Sequence, residues 1–155
     1  MIRGDSGSIL TSSDGISWTS RDSGSSNKLK GISYGNGLFV ISGDSGTILT
    51  SSDNGTTWTS RTSGTSNNLR KIIFENELFV VIGHSGTILT SSDGTTWNSR
   101  TSGTSEFLRG FTYANSTFVI SGDSGTILTS SDNGTTWTSR TSGTSNNLRG
   151  NKFGN

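Results

Sequence analysis

The sequence predicts an all-β fold built from one unit repeated four times, and three observations carry that expectation. The segment Gly43–Arg70 recurs unchanged at Gly122–Arg149 and in looser form from Gly4 and Gly83, so the starting glycines stand 39, 40 and 39 positions apart. A fixed period in that range marks a repeat architecture. The apolar residues, only 26% of the chain, fall in short β-branched and aromatic runs at the same place in every repeat, a pattern of strands separated by turns. No segment offers an i, i+3, i+4 apolar stripe, so essentially no helix is expected.

One unit can be taken in order. Leu29–Tyr34 (LKGISY) reads as a first short strand, and Gly35-Asn36-Gly37 as a turn, because Asn and Gly accept positive φ. Leu38–Ser42 (LFVIS) is nearly all apolar and reads as a second strand buried on both faces. Gly43-Asp44-Ser45-Gly46 turns tightly into a third strand, Thr47–Ser51. Asp53-Asn54-Gly55 turns again into a fourth, Thr57–Arg61, and Thr62–Asn68 crosses to the next unit. Four antiparallel strands in about forty residues, repeated, describe the blades of a β-propeller. A β-solenoid is the rival architecture. The chain has no Pro, which would remove ladder donors.

In this scheme residues 1–27 hold strands 3 and 4 of a split blade, 28–67, 68–107 and 108–146 are blades, and 147–155 is strand 1 of the split blade. Met1–Gly4 aligns with Val40–Gly43, and Gly150–Asn155 aligns with Gly31–Asn36. A blade assembled from both termini closes the circle and hides the edge strands. One chain sealing on itself makes a four-bladed monomer, whereas two chains exchanging termini make an eight-bladed homodimer about a two-fold axis. The dimer is favoured, because a four-bladed ring demands steep wedges and the chain has no Cys to lock one.

Composition excludes several classes of function. A net charge of +1 gives no support to nucleic-acid or membrane-surface binding. The absence of Cys removes disulfides and thiolate metal sites. No apolar run approaches the roughly 20 residues that span a bilayer, and Met1-Ile2-Arg3-Gly4 does not resemble a signal peptide. A soluble chain of unassigned compartment, without cofactor or metal, is expected.

The turn between the third and fourth strands carries a signature. Ser51–Trp58 fits Ser-x-Asp-x-Gly-x-Thr-Trp, as does Ser130–Trp137, while Ser12–Trp18 and Ser91–Trp97 fit with one residue deleted inside the turn. An Asp or Ser side chain can accept hydrogen bonds from backbone N–H groups of its own turn, and Gly supplies positive φ. The Trp beyond can bury its ring while its indole N–H finds a partner. The expected structural set is therefore Ser12, Asp14, Gly15 and Trp18; Ser51, Asp53, Gly55 and Trp58; Ser91, Asp93, Gly94 and Trp97; and Ser130, Asp132, Gly134 and Trp137. One carboxylate per turn falls short of the roughly six to eight oxygens that Ca²⁺ takes.

This motif resembles the Asp-box, the bacterial neuraminidase (BNR) repeat, and the flanking pattern is similar to photosystem-assembly-factor-like and uncharacterised bacterial Asp-box propellers. The resemblance covers every repeat. It implies that the box is a peripheral hairpin away from the ligand site, in rings that usually have six or more blades. For the sialidases it would imply three carboxylate-gripping arginines, the first in an Arg-Ile-Pro-like motif, with a Tyr/Glu pair and an acid Asp. There is no Pro here, and Arg21, Arg61, Arg100 and Arg140 recur by repetition. Catalysis needs unlike groups converging on one point, whereas a near-perfect repeat supplies like groups on a circle. A non-enzymatic scaffold is expected, with a lectin-like glycan binder as the alternative.

On a propeller the loops between strands 2 and 3 and the loops crossing to the next blade share one face. That face would carry Asp5, Asp44, His84 and Asp123, the amides Asn27, Asn67, Asn68, Asn146 and Asn147, and Lys30, Arg70, Arg109 and Arg149 at the openings of the innermost strands. Alternating donors and acceptors suit a polar ligand such as a glycan, or a protein segment. The plainer expectation is that the Asp residues organise their own turns and the cations pair with them. His84, the single histidine, stands where the other repeats have Asp and reads as drift at a turn position, as do the local departures Glu75, Glu77, Glu106 and Phe107. One imidazole per chain makes a poor metal site. Gly-Asp-Ser-Gly resembles the surroundings of a serine-protease nucleophile, but it recurs without a paired histidine, which argues turn chemistry.

Overall fold

A computed structural model describes residues 1–154. Asn155, the last residue of the expected closing strand, lies outside the described residues. Among the described residues, fifteen strands form four antiparallel meanders. The first sheet has three strands: β1 (Ile2–Arg3), β2 (Ile9–Thr11) and β3 (Thr19–Arg21). The second is β4 (Leu29–Gly35), β5 (Leu38–Gly43), β6 (Ile48–Ser51) and β7 (Thr59–Arg61). The third is β8 (Leu69–Glu75), β9 (Leu78–Gly83), β10 (Ile88–Ser91) and β11 (Asn98–Arg100). The fourth is β12 (Leu108–Ala114), β13 (Thr117–Gly122), β14 (Ile127–Ser130) and β15 (Thr138–Ser139). Every ladder lies within one repeat, which is the blade pattern of a propeller and not the cross-repeat pairing of a solenoid.

The apolar residues meet between blades. Ile9 packs with Leu29, Ile41, Leu49 and Trp58 at the first junction. Val40 and Ile48 meet Leu69, Ile72, Phe79, Val81, Leu89 and Trp97 at the second. Val80, Ile82 and Ile88 meet Leu108, Phe111, Phe118, Ile120, Leu128 and Trp137 at the third. Successive strand residues point to opposite faces, so Phe79 and Val81 serve one junction while Val80 and Ile82 serve the next. All of β9 is buried, as the apolar run predicts. In β5, Phe39 is only half-buried; it lines an open cavity of about 540 Å³ with Met1 and Thr11 of the incomplete first sheet.

Three details depart from expectation. Strand 3 of the second blade starts at Ile48 rather than Thr47, and strand 4 at Thr59 rather than Thr57, because Thr57 and Trp58 are held by the hydrogen bonds of the hairpin. The Asp5–Gly7 and Asp44–Gly46 turns close as single 3₁₀ turns, the only helical content among the described residues. Each inner pair also carries a bulge, between Leu29 and Gly31, Leu69 and Lys71, and Leu108 and Gly110. The extra residue is Lys30, Arg70 or Arg109, and a bulge re-aims the side chain it frees.

The crossing loops are tied by glycine. Gly46 N–H donates to the Asn67 carbonyl (2.9 Å), as Gly7, Gly86 and Gly125 do to Asn27, Glu106 and Asn146 (2.8 Å each). Leu148 N–H donates to the Gly122 carbonyl as Leu29 N–H does to Gly4, both at 2.9 Å, and Asn151 Nδ2 donates to the Val119 carbonyl at 2.7 Å. Residues 147–154 thus leave the fourth sheet along the route that begins a new blade, but they form no strand and do not pair with β1. Gly46 and Gly64 both have positive φ (68° and 75°), but a Cβ on Gly46 would collide with the Thr65 carbonyl oxygen, whereas one on Gly64 meets nothing within 4 Å. Gly64→Ala is expected to cost about 1–2 kcal/mol, the left-handed penalty alone, and Gly46→Ala about 3 kcal/mol or more. Urea unfolding midpoints of the two variants check the difference.

Candidate functional site

The Asp-box turns clamp themselves. The Asp53 carboxylate accepts from the N–H groups of Thr56 (3.0 Å) and Thr57 (2.9 Å) and from the hydroxyls of Ser51 (2.7 Å) and Thr57 (2.6 Å). Ser51 Oγ in turn accepts from Gly55 N–H at 2.8 Å, and Trp58 Nε1 donates to the Gly55 carbonyl at 3.1 Å. Ser130, Asp132, Gly134 and Trp137 repeat this arrangement, as do Ser91, Asp93, Gly94 and Trp97 without the extra Asn. The longer turns accommodate that Asn at positive φ, 59° for Asn54 and 53° for Asn133. In the first repeat Ser12, Asp14 and Gly15 make the same bonds, but Trp18 is 42% exposed.

These donors depress the carboxyl pKa values. Backbone N–H groups of Ile16 and Ser17 hold Asp14 at about 2, and the Thr136 hydroxyl and N–H hold Asp132 at about 2. The Thr57 hydroxyl lowers Asp53 further, and the Thr96 N–H does the same for Asp93. A carboxyl depressed in the folded state contributes stability that is present above its unfolded value, near 3.8, and lost as pH falls through the folded value. The urea midpoint is therefore expected to drop between pH 4 and 2, and to drop less in Asp53→Asn. Ser51→Ala leaves the buried Gly55 N–H without an acceptor and is expected to cost about 1–3 kcal/mol, more than Ser12→Ala at the half-buried equivalent. Chemical denaturation at neutral pH checks the pair.

The opposite face gathers the bulge cations. Lys30 pairs with Asp44, and Arg109 grips Asp123 through two nitrogens, with Nη2 2.7 Å from Oδ2. Asp5 pairs instead with Lys28 at 2.7 Å. Asn68 and Asn147 accept from the N–H groups of Ser45 and Ser124 (2.9 and 3.1 Å), and Asn27 and Asn67 donate to Thr47 and Thr87 (2.8 and 2.9 Å). Asn146 offers its carbonyl to Gly125. Arg149 is exposed, and its charge helps lower the Asp123 carboxyl after Arg109 has done so.

The third blade breaks this pattern. With His84 in the Asp position, Arg70 has no carboxylate partner among the described residues. Phe107 stands where other repeats carry Asn68 and Asn147. Its ring stacks on His84 at 3.8 Å, and the Arg109 and Arg70 guanidinium carbons lie 4.2 and 5.8 Å from its centroid. Lys71 replaces the glycine of the other repeats; its Nζ donates to the Phe111 carbonyl at 3.2 Å, and burial lowers its pKa. Burial, then the Lys30 charge, lowers the His84 pKa. Arg3, Lys28, Lys30, Arg70, Lys71 and Arg109 line a cavity of about 430 Å³. Sequence reasoning missed Lys71, Lys28, Arg3 and the meeting of His84 with Phe107; the signal was that these departures fall at the same end of their strands.

Two further cavities, of about 450 and 440 Å³, occupy equivalent places at successive blade junctions, with Asn27, Thr47, Arg61 and Ser63 in one and Asn67, Thr87, Arg100 and Ser102 in the other. Among the described residues, no three His, Cys, Asp or Glu side chains cluster as a metal site, and no helix is long and apolar enough to cross a membrane.

The chain superposes on YCF48 bound to D1 peptide with a TM-score of 0.71 at 19% identity, covering 96% of this chain and 51% of that one. YCF48 from Cyanidioschyzon merolae gives 0.71 at 16% identity, covering 96% and 53%. A mutant of Trypanosoma rangeli sialidase displaying trans-sialidase activity gives 0.51 at 15%, covering 85% and 32%. The chain spans about half the length of the YCF48 structures. At these identities the likeness is one of fold, and it is to Asp-box propellers, the kind the turn motif resembles. No curated protein matches the chain. The family model of the DUF6242 beta propeller domain matches residues 28–151, and the chain belongs to that family.

Proposed function

We propose that the chain is a non-enzymatic propeller scaffold that closes its ring with a second copy of itself and offers the strand 2–3 loop face to a protein ligand. The observation that carries self-assembly is the unpaired interface. The first sheet lacks an innermost strand and exposes Ile2 (50%) and Trp18 (42%) where every later sheet meets a predecessor. The fourth sheet leaves Val119 and Ile127 half-buried, although their equivalents Val40 and Ile48 are fully buried at the second junction. These two faces are the halves of an interface that the chain builds three times internally. With the partner's 147–155 added to residues 1–27, the partner's Arg149 stands to Asp5 as Lys30 stands to Asp44.

Several observations support a non-enzymatic role. Arg21, Arg61, Arg100 and Arg140 each hold a threonine of their own blade through Nε at 2.8–2.9 Å, on four separate sheets. The Asp-box carboxylates are occupied by their own turns. A protein ligand is favoured by the D1 peptide on the YCF48 structure. The equivalent junction cavities favour a glycan as the second reading.

Light scattering is expected to give twice the chain mass, with Trp18→Ser reduced to the monomer; a stable wild-type monomer overturns self-assembly. A fluorogenic sialoside is expected to show no turnover. A glycan-array signal lost in the Arg61→Ala, Arg100→Ala double variant would replace the protein ligand with a glycan.

A further inference from the structure

The departures from the repeat are few, and three of them fall at one end of the third blade: His84 stacks on Phe107, and Lys71 lines the cavity with Arg70. Lys71 replaces a glycine, His84 an aspartate and Phe107 an asparagine. The effect on charge is local. Lys28, Lys30 and Arg109 each have a carboxylate, whereas Arg3, Arg70 and Lys71 have none among the described residues. The chain as a whole carries a net charge of only +1, so this cavity is a concentration of positive charge. A concave wall focuses such a field. Arg3 Nε is buried without any hydrogen-bond partner, and a buried orphan donor calls for an acceptor.

We infer that the cavity at the openings of the innermost strands is a binding site for an acidic peptide segment, with Arg70, Lys71 and Arg3 receiving carboxylates. The inference rests on reading the strand 2–3 loop face as the ligand face. The chemistry of the lining selects the class. Guanidinium groups take carboxylates through paired N–H donors. The lining is six cations and Leu29, with no hydroxyl or amide side chain to read the hydroxyls of a neutral sugar. A cavity of about 430 Å³ is a pocket, not the extended basic stripe that a nucleic acid tracks. Burial disfavours the Lys71 charge, and a seated carboxylate offsets that cost.

The test uses reversions to the residues of the other repeats, which the blade already accommodates. A fluorescein-labelled hexapeptide of alternating Glu and Leu is titrated with the full chain by anisotropy at low salt. Wild type is expected to bind it at least ten-fold more tightly than its Gln counterpart. Lys71→Gly and His84→Asp, the second supplying Arg70 with an internal partner, are each expected to weaken binding about ten-fold while leaving the thermal midpoint within a few degrees. Equal binding by wild type and the Lys71→Gly, His84→Asp double variant overturns the site, as does tighter binding of an oligogalacturonate or of single-stranded DNA. Oligomeric mass is measured on the same samples. A dimer that binds no peptide sinks the site and leaves the scaffold; a monomer that binds with the same variant losses sinks self-assembly and leaves the site.

Discussion

Each sheet of this chain has two faces and only one thin layer of apolar side chains on each, so every blade depends on the neighbour that covers it. Phe79 and Val81 of β9 are buried against the second sheet, and Val80 and Ile82 of the same strand against the fourth. Fully burying such a side chain contributes about 1.5–3 kcal/mol, but only if the adjoining blade is present. A chain that is 26% hydrophobic therefore holds a core by spending its apolar residues on a few strands buried on both sides. The same dependence leaves the outermost faces unsatisfied, which is why Trp18 is exposed while Trp58, Trp97 and Trp137 pack at junctions with their indole N–H groups bonded.

The remaining residues, chiefly Gly, Ser, Thr and Asn, resemble a disordered tract in composition, yet they are occupied in turns. Ser63 Oγ donates to the Thr65 carbonyl (3.1 Å), Asn67 N–H donates to Thr65 Oγ1 (3.0 Å), and Gly46 N–H reaches across to Asn67. Such short-range bonds satisfy backbone and side-chain groups that would otherwise be unpaired at the crossing loops. The scaffold is thus apolar between blades and self-bonded at its ends. Apart from the Asp-box carboxylates and the arginines of the outer strands, neither part calls for charge, which leaves the other charged positions free to vary.

That freedom explains how an almost periodic chain acquires one distinctive place. In the second and fourth sheets the innermost cation meets the aspartate of its own blade, and each such pair is electrostatically quiet. Loss of the aspartate at His84 and gain of Lys71 unbalance one blade, and Phe107 puts an aromatic ring beside it. Unlike groups converge there, the feature that periodicity alone does not supply. The likeness to YCF48 and sialidase structures concerns the fold, so the character of this site comes from the chain's own departures.

The sequence by itself determined the β architecture, the four blade-equivalents and the Asp-box hairpins, because a period near forty residues and the turn chemistry of Asp, Asn and Gly are local properties. It also marked the cations at the openings of the innermost strands and the two-faced burial of the second strand. Only the tertiary structure decided that strand 4 begins after Trp58, that bulges free Lys30, Arg70 and Arg109 from the ladder, and that His84 and Phe107, 23 positions apart, stack at 3.8 Å. Those outcomes depend on where one blade lies against the next. A repeat seen in sequence specifies each blade, whereas the meeting of its exceptions depends on how the blades are stacked around a common axis.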